Sequence, residues 1–350
     1  MPRVIGYLDK LDQASETWVT LRMNTKDLPT LPCPRCKIAL SAGTPGTYIA
    51  HSAGSFEECL RRCEACGIGL SNSRTAGSET RIYAHASDNV PEVVRKGFIE
   101  ALESGANELN RRNKKLKAAF STSEDALTWT VFRWLQLEQR LASTFFSLGF
   151  NIARGMRDEP RLLLWGAEVP LEPKPNSDSR LVKTLRDISH TLGEQPDRRT
   201  EPDVVLDFGA AGVIFIEVKY QSANEIKSPT YPNWQRYLNM PDPSAFRDGA
   251  AIRENGHYEL ARNWRFGWQI SKQLEVPVTV INLGRTALFN GLAGGALARF
   301  EALLSQNDRR QFARLTWSEL LGNGVQCPTW FMDYIDDKRL LRKARHSHDA

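Results

Sequence analysis

An α/β fold preceded by a small metal-held module is predicted by three observations. From Glu201 to Tyr220, two apolar, β-branched runs flank a glycine-bearing turn, the signature of a β-hairpin. Segments on either side of it repeat apolar residues at helical spacing. Two Cys-x-x-Cys pairs, Cys33/Cys36 and Cys63/Cys66, occur in the first fifth of the chain.

Composition sets the frame. The 350 residues leave room for two or three domains and a sizeable core. Hydrophobic residues make up 41% and charged residues 25%, as in an ordinary soluble protein. A net charge of +5 suits a polyanionic partner without demanding one. No apolar run approaches the roughly 20 residues of a transmembrane helix, and the start lacks the apolar centre of a signal peptide. The expected location is cytoplasmic, with no membrane partner. In a reducing compartment, paired cysteines read as metal ligands rather than disulfides.

In chain order, residues 1–31 form an N-terminal segment with one alternating stretch, Trp18 to Met23, read as a strand. Residues 32–75 read as a zinc ribbon. Each cysteine pair sits in a tight turn that presents two thiolates, and the four from Cys33, Cys36, Cys63 and Cys66 satisfy the closed tetrahedral site of structural zinc. Two unrelated reduced pairs, or a redox dithiol, are the alternatives. Cys59, four residues before Cys63, competes for a place in the set, whereas Cys327 reads as a small buried apolar residue. Arg35, Lys37, Arg61 and Arg62 beside the cysteines suit nucleic-acid contact or plain solvation. Ser71 to Ser87 reads as a linker.

Residues 76–120 read as a helical connector with a basic end. Its helix starts near Asn89, with Pro91 in the first turn and a stripe of Val93, Val94, Phe98, Ile99, Leu102 and Leu109. From Asn110 to Lys117, five residues in eight are basic and none is acidic. Arg111, Arg112, Lys114 and Lys115 are therefore candidates to follow a phosphate backbone, with a solvated face as the alternative.

The last domain spans 121–350. Ser121 and Glu124 have capping-box spacing and open a helix whose stripe runs through Leu127, Val131, Leu135, Leu141, Phe145 and Leu148. Leu162 to Val169 reads as the first strand. A loop with Pro170, Pro173 and Pro175 follows, then a helix through Leu181, Leu185 and Ile188, where His190 reads as surface or packing. Beyond the hairpin lies a long loop with Pro229, Pro232, Pro241 and Pro243, of the kind that touches substrate. A helix from His257 to Leu274 and a strand from Val276 to Leu283 come next. Helical patterning returns after Ala287, through Leu297 and Phe300 and again through Trp317 and Leu320. The basic tail from Lys338 is expected to fray. Neither a phosphate-binding glycine loop nor a Ser-His-Asp arrangement is visible, so no ATPase motor is expected.

The hairpin carries the chemistry. Strand alternation puts Ile214, Ile216 and Val218 on one face and Phe215, Glu217, Lys219 and Gln221 on the other. Two registers are open. A loop over Ala210–Gly212 sets Asp203 opposite Lys219, and a loop over Gly209–Ala211 sets it opposite Glu217. Either gathers Asp203, Glu217 and Lys219 at the open end. Two carboxylates about 4 Å apart repel by roughly 4 kcal/mol at an effective dielectric near 20. A divalent cation with hard oxygen ligands, Mg2+ or Mn2+, relieves that repulsion.

Pro202-Asp203, followed across the hairpin by Glu217-Val218-Lys219, resembles the PD-(D/E)xK nuclease superfamily. The resemblance covers about residues 121–285. It implies a restriction-endonuclease-like mixed sheet flanked by helices, with Asp203 and Glu217 as metal ligands joined by the backbone carbonyl of Val218. Lys219 is implied to orient or activate the attacking water, with Gln221 seconding the site. Glu124 resembles the acid that relatives bring from a preceding helix, though capping its own helix explains it equally well. Arg262-Asn263 resembles a polar pair that relatives place near the active site, for nucleic-acid contact. The implied activity is Mg2+-dependent endonucleolytic hydrolysis of duplex DNA in restriction or antiviral defence. The protein partner would be a second copy of the chain or a defence-system component. The rival readings are a catalytically silent scaffold binding nucleic acid or protein, and a nuclease acting on RNA or branched DNA.

Overall fold

The computed structural model describes residues 23–24, 28–42, 48–49, 53–72, 80–153, 159–171, 180–239, 242–322 and 326–340. The expected strand at Trp18, all but its last residue, lies outside them, as do Pro173, Pro175, Pro241 and the tail beyond Leu340. The chain divides into two compact units, Met1–Ala84 and His85–Ala350. Among the described residues, no helix is long and apolar enough to cross a membrane.

The first unit is built from short antiparallel strands. Leu31–Pro32 pairs with Ala39–Leu40, Met23–Asn24 with Tyr48–Ile49, and Arg61–Cys63, Ile68–Leu70 and Arg81–Tyr83 form a three-stranded sheet. That third strand moves the expected boundary: Ile82 and Tyr83 are buried against the ribbon, so it runs past residue 75 to Ala84. The expected 76–120 connector is thus divided, and from His85 onward it folds with the second unit.

In the second unit the β-strands are β1 (Arg161–Leu164), β2 (Ala167–Glu168), β3 (Val204–Asp207), β4 (Val213–Val218), β5 (Val278–Gly284) and β6 (Arg310–Thr316). They form one mixed sheet in the order β6-β5-β4-β3-β1-β2. β1 to β4 pair antiparallel, whereas β4, β5 and β6 run parallel. The described helices that matter here are α1 (Arg111–Ala118), α2 (Glu124–Leu137), α3 (Arg180–Thr191), α4 (Tyr258–Leu274), α5 (Gly291–Ala302) and α6 (Thr329–Asp337).

Alternation sorts the sheet residues between two cores. Leu164, Leu206, Ile214, Ile216 and Val218 pack with α2 and α6 on one face. Leu163, Val205, Phe215, Val278 and Val280 pack with α3, α4 and α5 on the other. At Gly267, α4 approaches β5 so closely that a Cβ would come within 3.0 Å of Val278 and 3.1 Å of Val280. Glycine there lets α4 lie directly on β5, and that contact fixes where its first turn ends up.

Several expectations change on folding. The single helix expected to run through Leu148 breaks at Gln139, which takes φ 53, leaving α2 and a separate helix Leu141–Ser147. The stripe from Val93 to Leu109 is interrupted by Gly97 at φ 87, and both Val93 and Leu109 are exposed. β6 lies where only helical patterning was visible, because this edge strand buries Phe312 and Leu315, three apart, and so lacks period-two alternation. Lys338 does not fray. It is buried, and its Nζ donates to Asn89 Oδ1 at 3.0 Å and to the Ser121 carbonyl at 2.6 Å.

Candidate active site

The hairpin adopts the second of the two open registers. Val204 pairs with Ile216 and Asp207 with Val213, a pairing that continues to Asp203 opposite Glu217. Its turn depends on Gly212, at φ 141 with no room for a side chain: a Cβ would sit 2.6 Å from the Pro277 carbonyl. Asp203 is tied to the next strand, where its Oδ2 accepts the Val218 amide at 2.8 Å. The Val218 side chain faces the opposite core. Trp317 Nε1 donates to the Lys219 carbonyl at 3.0 Å and pins the end of the strand.

Two further acids join these residues. Glu124, first residue of α2, accepts at Oε2 from the Tyr220 amide (2.6 Å) and the Ser222 hydroxyl (2.9 Å). The expected capping box does not form, because Ser123 caps α2 by accepting from the Ala126 amide. Glu124 therefore reaches across to the hairpin. Glu259, in the first turn of α4, accepts from Lys219 Nζ at 2.7 Å, as does Glu217 Oε1 at the same distance. Its sequence signal was one helical step before Arg262, on the same face, but nothing local distinguishes such an acid from a solvated one.

The neighbouring residues take mixed roles. Asn263 is fully buried and its Nδ2 donates to Glu217 Oε2 at 2.6 Å, so it positions that carboxylate and cannot meet a nucleic-acid strand. Arg262 lines the cleft, and its buried Nε has no hydrogen-bond partner. Gln221 is exposed at the rim. The basic stretch is dispersed: Lys114 pairs with Glu201 at 2.8 Å and lines the cleft, Arg111 bonds the Gly105 carbonyl, Lys115 pairs with Glu103, and Arg112 is exposed. The whole cleft encloses about 710 Å3 and is lined by six acids and five bases.

The electrostatics describe a site short of positive charge. Burial, followed by the Glu124 charge, pushes Asp203 up to about 7. Burial, then Asp203, pushes Glu217 up to about 8, and burial likewise takes Glu124 to about 7. Burial disfavours a charged Lys219, but Glu217, Glu259, Asp203 and Glu124 together hold it well above the usual lysine range. Lys219 therefore stays an ammonium at any working pH. Two of its three N–H groups are taken by Glu217 and Glu259, leaving one. Of the carboxylate oxygens, Oδ1 of Asp203 and Oε1 of Glu124 accept nothing from the described residues. Oxygens of this kind are hard donors suited to Mg2+ or Mn2+.

A pH dependence follows from these shifts. The three carboxyls hold protons in the folded protein that the unfolded chain releases near 3.8 to 4.5. These three groups therefore lower stability as pH rises from about 4.5 to 8, by roughly 1.4 kcal/mol per unit for each retained proton, and outnumber the buried His257, which works the other way below 6.5. Thermal melts in EDTA are expected to show a falling Tm over this window, and millimolar Mg2+ to restore it at pH 8. A Tm that is flat or rises with pH in EDTA would contradict the charge balance described.

The first unit holds a second candidate metal site. The Sγ atoms of Cys33, Cys36, Cys63 and Cys66 lie within 4.8 Å of one another, close to the roughly 3.8 Å edge of a tetrahedron with 2.3 Å Zn–S bonds. Lys37, at φ 67, follows the first pair, and Gly67, at φ 61, follows the second, so the two turns are equivalent knuckles. Such a cluster is placed to hold a structural metal such as zinc. Cys59 is outside it: its thiol is buried, donates to the Ser55 carbonyl and is pushed up to about 12 by burial. The basic residues nearby are largely engaged. Arg61 is buried and bonds the Pro29 and Ser71 carbonyls, Arg62 pairs with Glu64, and Arg35 bonds the Cys66 carbonyl. Cys327 is half-buried at the edge of the core around α2.

No protein-family model matches the chain, and no characterised protein or solved structure is significantly similar to it.

Proposed function

We propose that the chain is a divalent-metal-dependent endonuclease of the PD-(D/E)xK, restriction-endonuclease-like kind, acting on duplex DNA. The observation that carries this reading is the convergence of Asp203, Glu217, Glu124 and Lys219 in one cleft, where three carboxyls are held near 7 to 8 by burial and mutual repulsion. A binding scaffold has no need to hold such charges together, because the arrangement weakens the fold at neutral pH. A hairpin feeding two parallel strands, with helices on both faces, suits the same superfamily.

In this reading Asp203, Glu217 and Glu124 would hold Mg2+. The ion, when bound, lowers the pKa of a coordinated water and neutralises charge on the phosphoryl oxygens. Lys219, locked as a cation by Glu217 and Glu259, orients the water or a phosphoryl oxygen with its remaining N–H and does not act as a base. Asn263 holds Glu217 in place, and Arg262 offers its guanidinium to the phosphate. The open oxygens of Asp203 and Glu124 are left for the metal.

The test is cleavage of supercoiled plasmid by the full chain. Nicking or linearisation is expected with Mg2+ and not with EDTA. Glu124→Gln keeps an oxygen for the Tyr220 and Ser222 bonds, so its loss of activity, at least about 10²-fold, reports on chemistry rather than folding. Cleavage that persists in EDTA, or that Glu124→Gln leaves intact, would remove the metal site from the mechanism. Running a duplex RNA alongside the plasmid separates the DNA from the RNA reading.

A further inference from the structure

Beside the metal cleft lies a second one, of about 370 Å3, that shares Asn107, Arg199 and Arg262 with it. The two differ sharply in charge. The metal cleft is lined by more acids than bases, whereas the second is lined by Arg198, Arg199, Arg236, Arg262 and Lys227 against one acid, Glu225, which already pairs with Lys227 at 2.7 Å. None of the four guanidiniums has a carboxylate at salt-bridge distance or a hydrogen-bond acceptor among the described residues. Arg262 lies over the ring of Tyr258, 5.9 Å from its carbon, within the field of Glu259 and Glu217, and its buried Nε has no hydrogen-bond partner among the described residues.

A folded chain rarely leaves a buried guanidinium nitrogen unpartnered, since the desolvation is uncompensated. One such nitrogen, on Arg262, with the more accessible Arg236, Arg199 and Arg198 grouped around the same small cavity, describes an anion site. The wall behind them is aromatic: Tyr231 and Tyr237 both pack edge-on against Tyr258, at 4.9 and 5.6 Å. That wall lowers the local dielectric and strengthens any ion pair made in front of it. The volume is that of a small-ligand pocket, enough for one nucleotide and too small for a duplex.

We infer that this second cleft is a subsite for the terminal phosphomonoester of a nucleic-acid strand, whose nearby phosphodiester lies in the metal cleft. The inference rests on the nuclease reading and adds to it a preference for strand ends. The charge decides the class of phosphate. A diester carries one negative charge, whereas a phosphomonoester carries about 1.5 to 2 at pH 7 and offers three acceptor oxygens. Guanidiniums bind such a group in a bidentate manner. Arg199 and Arg262, common to both clefts, provide the path along which the strand passes from one to the other.

The experiment uses single-stranded DNA dodecamers of one sequence bearing a 5′-phosphate, a 3′-phosphate, or hydroxyls at both ends. Affinity is measured by fluorescence anisotropy in EDTA with Asp203→Asn protein, which cannot cleave, and with the same protein also carrying Arg198→Ala and Arg236→Ala. One phosphorylated form is expected to bind at least about tenfold more tightly than the hydroxyl form, and the end that does so gives the strand polarity. The arginine substitutions are expected to remove that preference while hydroxyl-ended DNA still binds. Equal affinity for all three oligonucleotides overturns the subsite, and so does a phosphate preference that survives in the arginine variant. Wild-type cleavage of plasmid in Mg2+ alongside either result leaves the nuclease reading standing. Failure of every DNA to bind, with no cleavage in Mg2+, removes both.

Discussion

Replacing Asp203 with asparagine is expected to lower the proposed Mg2+-dependent cleavage at least about 10²-fold while raising the Tm of the metal-free protein at pH 8. The two effects have one cause. The Asp203 carboxyl is held up near 7 by burial and by Glu124, so at pH 8 it is an ionised group in surroundings that oppose the charge. Asparagine removes the charge and keeps an oxygen for the Val218 amide, which now sits 2.8 Å from Oδ2. A rise of about 3 °C or more is a modest expectation, since 1 kcal/mol moves a domain of this size by about 2–4 °C. Added Mg2+ should then stabilise the variant less than it does the wild type. An acid kept for structural reasons would behave in the opposite way, with Asp203→Asn melting lower and Mg2+ making no difference. Glu217 is a poorer choice for this test, because both of its oxygens accept from donors, Lys219 and Asn263, and a glutamine amide would clash with one of them.

Cys33→Ser is expected to release about one zinc per chain and to unfold the first unit. The reason is the size of its core. Among the described residues, the apolar cluster around the cysteines is Cys33, Leu40, Cys63 and Leu70, with Leu31 and Cys66 beside it, so half of its members are themselves sulfur ligands. With its centre made of ligands, the packing there depends on the metal to offset the conformational entropy of ordering the chain. Metal binding contributes about 10–16 kcal/mol in small zinc modules, and without it the knuckles have little to hold them. Among the described residues, the two cores of the second unit are built from Ala86 onward, so that unit is expected to keep its own transition in a melt. Metal analysis checks the first part and calorimetry the second. Cys59→Ala is the control, expected to keep its zinc because Cys59 lies outside the sulfur cluster. Unchanged zinc in Cys33→Ser, or loss of zinc in Cys59→Ala, would redraw the ligand set.

The hairpin and the two knuckles were legible because each is encoded within about 20 consecutive residues. β-Branched runs on either side of Gly209–Gly212 place Asp203 near Glu217 in any register, and a Cys-x-x-Cys turn presents both its sulfurs whatever surrounds it. Glu124 was legible only as one of two readings. The capping reading gave way when Ser123 took the cap, leaving the Glu124 carboxylate to reach the Tyr220 amide. Asn263 was placed on the right helix with the wrong task, because one helical step separates a side chain aimed into the cleft from one buried against Glu217. The basic run at Arg111–Lys117 misled for a similar reason. Its charges look alike in the sequence, but the helix turns them in different directions, one to Glu201 and another to Glu103.

The sequence by itself determined which chemical groups the chain could bring to bear: an acid pair and a lysine on a hairpin, and four thiolates in two turns. Only the tertiary structure decided their company. Glu124, Glu259 and Arg262 come from α2 and α4, whose distance to the hairpin depends on how those helices pack against the sheet, and on small features such as Gly267 lying against Val278 and Val280. Local preference acts over a few residues, whereas burial, repulsion and charge pairing depend on distances that exist only once the core has closed.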